Sequence, residues 1–296
     1  AMKMIAGKLA DFLSERDSTL RGSTMHRYHR NKNIGPGDLS RMLLLPDSDL
    51  YPDISLEMDQ VLSTNGMFWQ PDKDSPVLLL GDSFTNIYSS AGLGMGVSGG
   101  LAEHLSYQLK RGVDLLARND DGAYSSREML ATELRHGRNR LAGKRVVVWQ
   151  FAERELAFGD WKDIPLIEGT VESSDFIAVP SASSIGVEAT IADISHSPRP
   201  GTIPYRDNVV TLHLVDLQGN GVKESARQAL VYSLGMRDNE MTPIAGLRPG
   251  DRVSFILSSW SDVENEYGSY RRTSLADEMI ELEIPNWGVL HENTTD

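Results

Sequence analysis

The feature that most constrains this chain is a run of apolar residues, Val77 to Leu80, that ends in Gly81-Asp82-Ser83. A strand that is apolar at every position is typical of a parallel sheet buried on both faces. Helix and strand patterns then alternate, and this order predicts a parallel sheet covered by helices on both faces. The alternating patterns are a helix over 99–112, a strand over 113–118, a helix over 125–143 and a strand over 144–151.

The character of the chain changes after about residue 165. Four stretches rich in β-branched residues predict strands separated by Pro, Gly, Asp and Asn. They are GVEATIADIS, NVVTLHLVDLQ, QALVYSLGM and DRVSFILSSW. Short strands with such turns favour a small barrel or sandwich, and a five-stranded barrel of the OB type is the first choice. We therefore predict an α/β domain over residues 1–167 and a small OB-like β-rich domain over 168–296.

Two helix details follow from the same patterns. The opening residues predict an amphipathic helix whose apolar face is Met2, Ile5, Leu9, Phe12 and Leu13. The helix over 99–112 is expected to stop at Gly112. A chain that opens inside a helix, behind an Ala-Met pair typical of a cloning tag, is expected to lack a natural N-terminal part and its leader.

Composition excludes several classes of protein. The formal net charge of -13 argues against a nucleic-acid partner, which requires clustered Lys and Arg. The absence of cysteine excludes disulfides, thiol catalysis and cysteine metal sites, and no metal or other cofactor is expected. No run of about 20 apolar residues is present, so no membrane span is predicted in this chain.

Ser83 would lie at the carboxyl end of a strand, where open parallel sheets bind ligands. A nucleophilic serine requires a base, an acid that orients the base, and donors for the oxyanion. The alternative is that Ser83 only caps a helix, because Ser and Asp are favoured at that position. The triplet by itself leaves both interpretations open.

Longer stretches carry a resemblance that goes beyond the triplet. They are LLLGDSFTNIYS, GLGMGVSGGLAEHLSYQL, VDLLARNDDGAYSSREMLATEL and VVVWQFAERELAFGDWK. In order and spacing, over roughly residues 1–165, they resemble the SGNH-hydrolase-like domain of the alginate O-acetyltransferase-related proteins. The resemblance implies an SGNH-type parallel-sheet domain, O-acetylation of a bacterial exopolysaccharide, and a periplasmic or extracytoplasmic location. The implied partners are a polysaccharide and an acyl donor, and other exopolysaccharide-assembly proteins are compatible with it.

The resemblance also implies site residues. Ser83 is the nucleophile, and its own backbone N–H donates to the oxyanion. Gly96 and Ser98, which precede a helix, are candidates for further backbone donors, with simple turn geometry as the alternative. Asn119 stands where SGNH enzymes place an Asn that completes the oxyanion hole, with a turn-forming Asn as the alternative.

Aromatic and basic residues elsewhere are weaker candidates for sugar binding. Trp149 and Arg154 could line a sugar site, although a core Trp and a surface ion pair are the simpler interpretations. The β-rich half offers further side chains that could stack on sugars or fill a barrel core: Tyr205, Arg206, Trp260, Tyr267, Tyr270 and Trp287.

The base and acid of the resembled family form an Asp-x-His motif just before a helix that resembles residues 2–14 here. We therefore expect Asp-x-His-Trp or a close variant upstream of Met2. Without that motif, we expect the 296 residues of this chain to be nearly inactive, because a serine without its base is a weak nucleophile. Asp193 and His196 have the Asp-x-x-His spacing of ordinary SGNH esterases. They lie in the β-rich half and run into SPRPG, not into a helix, which marks them as a decoy.

Three functions remain open on the sequence alone. The first is O-acetyl transfer to, or removal from, a bacterial exopolysaccharide through an acyl-enzyme on Ser83. The second is a non-catalytic carbohydrate-binding or assembly protein on the same fold. The third is an ordinary SGNH esterase that uses Asp193 and His196.

Overall fold

The computed structural model describes residues 1–35, 53–89, 95–119, 122–169, 175–222, 226–277 and 280–291. The chain divides into two compact units. Unit 1 contains Ala1–Ala131 and Asn139–Leu166, and unit 2 contains Thr132–Arg138 and Ile167–Asp296. Each unit has its own hydrophobic core.

Unit 1 begins with a helix and an antiparallel strand pair. Helix α1 (Met2–Arg16) is followed by a short 3-10 turn (Ser18–Leu20). Strands β1 (His26–Gly35) and β2 (Ile54–Ser63) pair with His26 opposite Ser63. The sequence patterns did not predict these two strands, because polar residues dominate β1.

The centre of unit 1 is a three-stranded parallel sheet in the order β4-β3-β5. Its strands are β3 (Val77–Gly81), β4 (Asp114–Ala117) and β5 (Val146–Trp149). Every residue of β3 is buried, as its apolar run requires. In the described part of the chain the α-helical segments between β3 and Leu166, the end of unit 1, are α2 (Ser83–Asn86), α3 (Leu101–Leu109), α4 (Ser125–Arg135), which ends in unit 2, and α5 (Glu155–Phe158).

Helix α1 buries Leu13 of the predicted apolar face and packs Met2 and Leu9 partly buried against the core, together with two alanines that the prediction did not include. Ala6, Ala10 and Leu13 are buried, whereas Ile5 and Phe12 are 45% and 49% exposed. Helix α1 packs against α3, and alanines at the contact allow two helix backbones to approach closely. The predicted face was therefore wrong at Ile5 and Phe12, because hydrophobicity alone overlooks the steric advantage of alanine.

Helix α3 ends earlier than predicted. Its last residue is Leu109, and Lys110 follows in the left-handed conformation with φ of 51°. The backbone N–H of Lys110 bonds to the carbonyl of Tyr107 and closes the helix end. Gly112 lies beyond this cap, and a Cβ there would collide with the side chain of Asp72.

Unit 2 is built on a seven-stranded mixed sheet in the order β11-β7-β6-β10-β12-β8-β9. Because β7 also pairs with β8, five of these strands close into a barrel. One pair in the barrel, β8 with β12, is parallel, and the other four are antiparallel. The strands are β6 (Ser184–Ile194), β7 (Asn208–Gln218), β8 (Ala229–Arg237), β9 (Glu240–Met241), β10 (Arg252–Ser259), β11 (Arg271–Thr273) and β12 (Pro285–Leu290).

The predicted fold class is wrong. We expected a parallel-sheet SGNH-hydrolase-like three-layer domain with a small OB-like appendage. The dominant element is instead a closed mixed barrel with antiparallel strands, and within the described residues the parallel sheet contains three strands. Periodicity identifies strands along the chain but not which strands pair, and two of the barrel pairings, β8 with β12 and β6 with β10, join segments distant in sequence.

Among the described residues, no helix has both the length and the apolar character needed to cross a membrane.

Candidate functional site

Ser83 and Asn119 follow two neighbouring strands at the carboxyl edge of the parallel sheet. Gly81 is the register partner of Ala117, so each of the two polar residues lies two positions beyond this last pair. Neighbouring strands are about 4.8 Å apart, so the register brings both strand ends together. Ser83 is half-buried and Asn119 is 2% exposed.

The cap of helix α2 is Asp82, not Ser83. One carboxylate oxygen of Asp82 accepts a hydrogen bond from the backbone N–H of Phe84 at 2.8 Å. The other oxygen accepts from the backbone N–H of Ala152 at 2.9 Å. Both oxygens of Asp82 therefore fix the turn, and the capping role that the triplet left open for Ser83 belongs to its neighbour.

Gln150, just beyond β5, anchors the same turn from the other strand. Its amide oxygen accepts from the Thr85 hydroxyl at 2.5 Å and from the Asp82 backbone N–H at 3.4 Å. Thr85 packs so closely over Gly81 that a Cβ on Gly81 would collide with the threonine side chain. Glycine at this position is thus required by the packing of Thr85.

Asn86, the last residue of α2, connects the turn to Asn119. Its side-chain Nδ2 donates to Oδ1 of Asn119 at 3.0 Å, and both side chains are almost completely buried. The bond occupies the carbonyl oxygen of the Asn119 amide, and its NH2 group is the donor end. No sequence pattern pointed to Asn86.

A buried carboxyl group lies behind α2. The Glu103 side chain, on the first turn of α3, accepts from the Ser89 hydroxyl at 2.9 Å, and that hydroxyl is 3.2 Å from the Thr85 carbonyl. Burial raises the pKa of Glu103 to about 6, opposed by hydrogen bonds from Ser89 and from backbone N–H groups. Gly100 makes room for this contact, since a Cβ there would collide with Ser89. The sequence analysis also missed Glu103, since a Glu in the first turn of a helix usually remains in solvent.

Gly96 and Ser98 have packing roles in the structure. Gly96 has φ of 145°, and a Cβ there would collide with Met58. Ser98 is buried. Its hydroxyl donates to the Val61 carbonyl at 2.6 Å and accepts from the Trp69 backbone N–H at 3.2 Å. Backbone donation from these two residues to an oxyanion stays a prediction.

All seven histidines fall within the described ranges, and in that part of the chain none is hydrogen-bonded to Ser83. His26 lies 3.1 Å from the Ser106 hydroxyl, but this hydroxyl donates to the Arg111 carbonyl and is buried. His104 is buried on α3, where desolvation lowers its pKa to about 4. These two imidazoles are packing residues of unit 1.

Asp193 and His196 belong to unit 2. Asp193 lies on β6, and one of its carboxylate oxygens accepts from the backbone N–H of Ile194 at 2.8 Å. His196 is exposed beyond the end of the strand. Within the described residues no hydrogen bond or ion pair joins the two side chains.

The aromatic candidates pack mainly against one another. Trp149 donates through Nε1 to the Ala123 carbonyl at 3.2 Å, and its ring centroid is 5.5 Å from that of Trp161. Arg154 forms an ion pair with Glu155 at 3.5 Å. In unit 2, neighbouring aromatic rings form a cluster that includes Trp260, Tyr267, Tyr270 and a mostly buried Trp287.

Within the ranges that the structure describes, no three or more His, Asp or Glu side chains gather where they could hold a metal ion.

No protein-family model and no curated protein matches the sequence. Two solved structures are similar to parts of the chain. The O-acetyltransferase domain of Pseudomonas putida AlgJ is 24% identical, with 52% of this chain and 50% of that chain covered and a TM-score of 0.39. Pseudomonas aeruginosa AlgX is 13% identical, with 88% of this chain and 59% of that chain covered and a TM-score of 0.38. The chain thus spans about half of the first structure and less than two thirds of the second.

Proposed function

We propose that this chain transfers O-acetyl groups to, or removes them from, a bacterial exopolysaccharide through an acyl-enzyme on Ser83. The observation that carries the proposal is the register of the sheet, which sets Ser83 beside Asn119 at the carboxyl edge. Because Asp82 caps α2, the hydroxyl of Ser83 is not needed as the cap. The exopolysaccharide as substrate class comes from the sequence resemblance of the first half.

The proposed reaction has two steps, acylation of Ser83 and transfer of the acetyl group to an acceptor. The Ser83 oxygen bonds to the carbonyl carbon of the acetyl ester while a base takes its proton. The resulting oxyanion accepts hydrogen bonds from the Ser83 backbone N–H and from the Asn119 NH2 group. Collapse of this intermediate expels the first alcohol with a proton and leaves an acetyl ester on Ser83. A sugar hydroxyl or water then attacks that ester and releases the serine.

Labelling of Ser83 by a fluorophosphonate tests the nucleophile directly. Since no described histidine bonds to Ser83, imidazole is added as an external base. General-base catalysis typically contributes about 100-fold or more, so we expect labelling to accelerate by about that factor at saturating imidazole. Intact-mass spectrometry and peptide mapping would place the adduct on Ser83, and p-nitrophenyl acetate turnover would be measured in parallel.

Two variants make the experiment specific. Ser83→Ala should lose the adduct and reduce ester turnover to that of imidazole alone. Ser18→Ala, at an exposed serine in the 3-10 turn of unit 1, should behave as wild type. Labelling that persists in Ser83→Ala, or a wild-type chain that imidazole leaves unlabelled, would show that Ser83 is not a nucleophile.

A non-catalytic carbohydrate-binding or assembly protein is the second candidate. It is favoured by one observation, the absence of a hydrogen bond between Ser83 and any histidine in the described residues. This candidate predicts no fluorophosphonate adduct on Ser83, with or without imidazole. It also predicts saturable binding of polysaccharide, measured by calorimetry, that Ser83→Ala leaves unchanged.

A further inference from the structure

Asn86 and Asn119 form a buried amide pair whose orientation has chemical consequences. Asn86 is 1% exposed and Asn119 is 2% exposed, and Asn86 is the donor in the bond between them. An asparagine amide has a carbonyl end that accepts and an NH2 end that donates, and rotation by about 180° exchanges the two ends. The Asn86 NH2 group therefore selects the orientation in which Asn119 presents its oxygen to α2.

This choice leaves the NH2 group of Asn119 as the end that can serve another acceptor. An oxyanion beside Ser83 requires a donor, and a carbonyl oxygen in that place would repel it. With the opposite orientation of its amide, Asn119 would present its oxygen where the charge develops. The orientation of one buried amide thus decides whether Asn119 stabilises or opposes the transition state.

Asn86 is well placed for this task because it belongs to the same helical turn as Ser83. The turn is fixed by the bonds of Asp82 to Ala152 and of Thr85 to Gln150. A single anchored segment therefore carries both the nucleophile and the group that orients its oxyanion donor.

We propose that Asn86 is a positioning residue that holds the Asn119 amide with its NH2 group available to the oxyanion. The proposal rests on the proposed function of Ser83. It assigns to Asn86 no contact with substrate, so every effect of Asn86 on the reaction passes through Asn119.

Asn86→Asp is the sharpest test because an ionised carboxylate can only accept. It would bond to the Asn119 NH2 group, reverse the amide and remove the donor. Loss of one oxyanion donor costs about 100-fold to 1,000-fold in kcat, so we expect a loss of at least about 100-fold with KM nearly unchanged. Asn86→Ala selects neither orientation, and its loss should be smaller than that of Asn86→Asp. If Asn86 had a purely structural role, Asn86→Asp, which conserves the shape of the side chain, would not be expected to lose more activity than Asn86→Ala.

A double-mutant cycle identifies the route of the effect. In an Asn119→Ala background, Asn86→Asp should cause no further loss of Ser83-dependent turnover. Asn65→Asp is the matched control, because the Oδ1 of exposed Asn65 only accepts hydrogen bonds, from Ser63 and Met67, and a carboxylate keeps them. Urea midpoints of all variants would verify that each is folded under assay conditions.

Three results would overturn the proposal: a loss in kcat below about 3-fold in Asn86→Asp, a loss in Asn86→Ala at least as large as in Asn86→Asp, or an equal loss with and without Asn119. Failure of the proposed function is distinguishable, because Ser83→Ala would then leave imidazole-supported turnover and labelling unchanged. If Ser83→Ala abolishes turnover while Asn86→Asp does not reduce it, only the role of Asn86 is refuted.

Discussion

Acidification is expected to destabilise unit 1 through His104. The imidazole is 3% exposed on α3, and its ring centroid is 5.6 Å from that of Tyr28. The pKa of His104 is lowered to about 4, chiefly by desolvation, with the Lys3 ammonium and the terminal amine also lowering it and the Asp59 carboxylate opposing them. The ordinary pKa of a histidine in an unfolded chain is about 6.5.

The sign of the effect follows from these two pKa values. Because the folded-state pKa of His104 is the lower one, protons bind preferentially to the unfolded chain. The stabilising contribution is complete above the unfolded pKa and is lost as the pH falls from about 6.5 toward 4. Integration between pH 7 and pH 5 gives a loss of about 2 kcal/mol in the free energy of unfolding.

Glu103, the preceding residue, acts in the opposite direction. Burial raises its folded-state pKa to about 6, so the protonated carboxyl is favoured in the folded chain. Its contribution is complete below the unfolded pKa and is lost as the pH rises through about 6. Between pH 7 and pH 5 this gains about 1 kcal/mol and partly hides the effect of His104.

Two variants separate these contributions. His104→Gln should reduce the acid-induced loss by about 2 kcal/mol, whereas Glu103→Gln should increase that loss by about 1 kcal/mol. Urea unfolding at pH 7, 6 and 5, followed by tryptophan fluorescence, measures both. His29→Gln, at an exposed histidine on β1, should leave the pH dependence unchanged. His26, whose pKa burial also lowers, retains its part of the loss in every variant.

The reasoning would be refuted if His104→Gln kept the full wild-type difference between pH 7 and pH 5. A Glu103→Gln variant whose unfolding free energy became less sensitive to acid would refute the assignment of the opposing sign. Both outcomes can be measured even if a substitution lowers stability at pH 7, because the free energy of unfolding of each variant is compared with its own value across the pH series.

Three further outcomes follow from the contacts of unit 1. Thr85→Val should slow Ser83 labelling and cost about 1–3 kcal/mol of stability, because the side-chain oxygen of Gln150 loses a buried donor. Thr85→Ser keeps the hydroxyl and should preserve both the labelling rate and the stability. Chemical denaturation and adduct kinetics compare the two variants. Asp114→Asn should cost about 3–5 kcal/mol because it removes the buried negative charge that pairs with both the Arg140 guanidinium and the Lys144 ammonium, and an unchanged urea midpoint would contradict this. Gly81→Ala should cost about 1–3 kcal/mol through its collision with Thr85, and a thermal midpoint equal to that of wild type would show that the turn adapts.

The sequence predicted local elements better than their assembly. Strands β3 and β5 were recognisable because apolar and β-branched residues follow one another without interruption. The antiparallel pairing of β6 with β10 and the parallel pairing of β8 with β12 depend on contacts between distant segments, which no local period encodes. For that reason individual strands were found while the fold class was wrong.

The candidate site shows the same division. Ser83 was selected because it follows the end of a buried strand, and Asn119 because the sequence resemblance implies an oxyanion-hole Asn there; the register brings the two strand ends together. Asn86 is three residues after Ser83 and was missed, since an asparagine in a short helix is expected to be solvated. Only the structure shows that its side chain is buried and bonded to Asn119.

The anchoring of α2 favours chemistry at Ser83 over a passive role for this edge of the sheet. Asp82, Thr85 and Asn86 each fix the four-residue helix through a side-chain hydrogen bond to a residue beyond a neighbouring strand end. A turn that only connected β3 to the next helix would need one cap. Three buried polar side chains are costly by comparison, because each of them must find a hydrogen-bond partner. A nucleophile, in contrast, requires its oxygen and its oxyanion donors within a fraction of an ångström of their working positions. The polar residues that surround Ser83 supply that constraint, which a sugar-binding surface would not require.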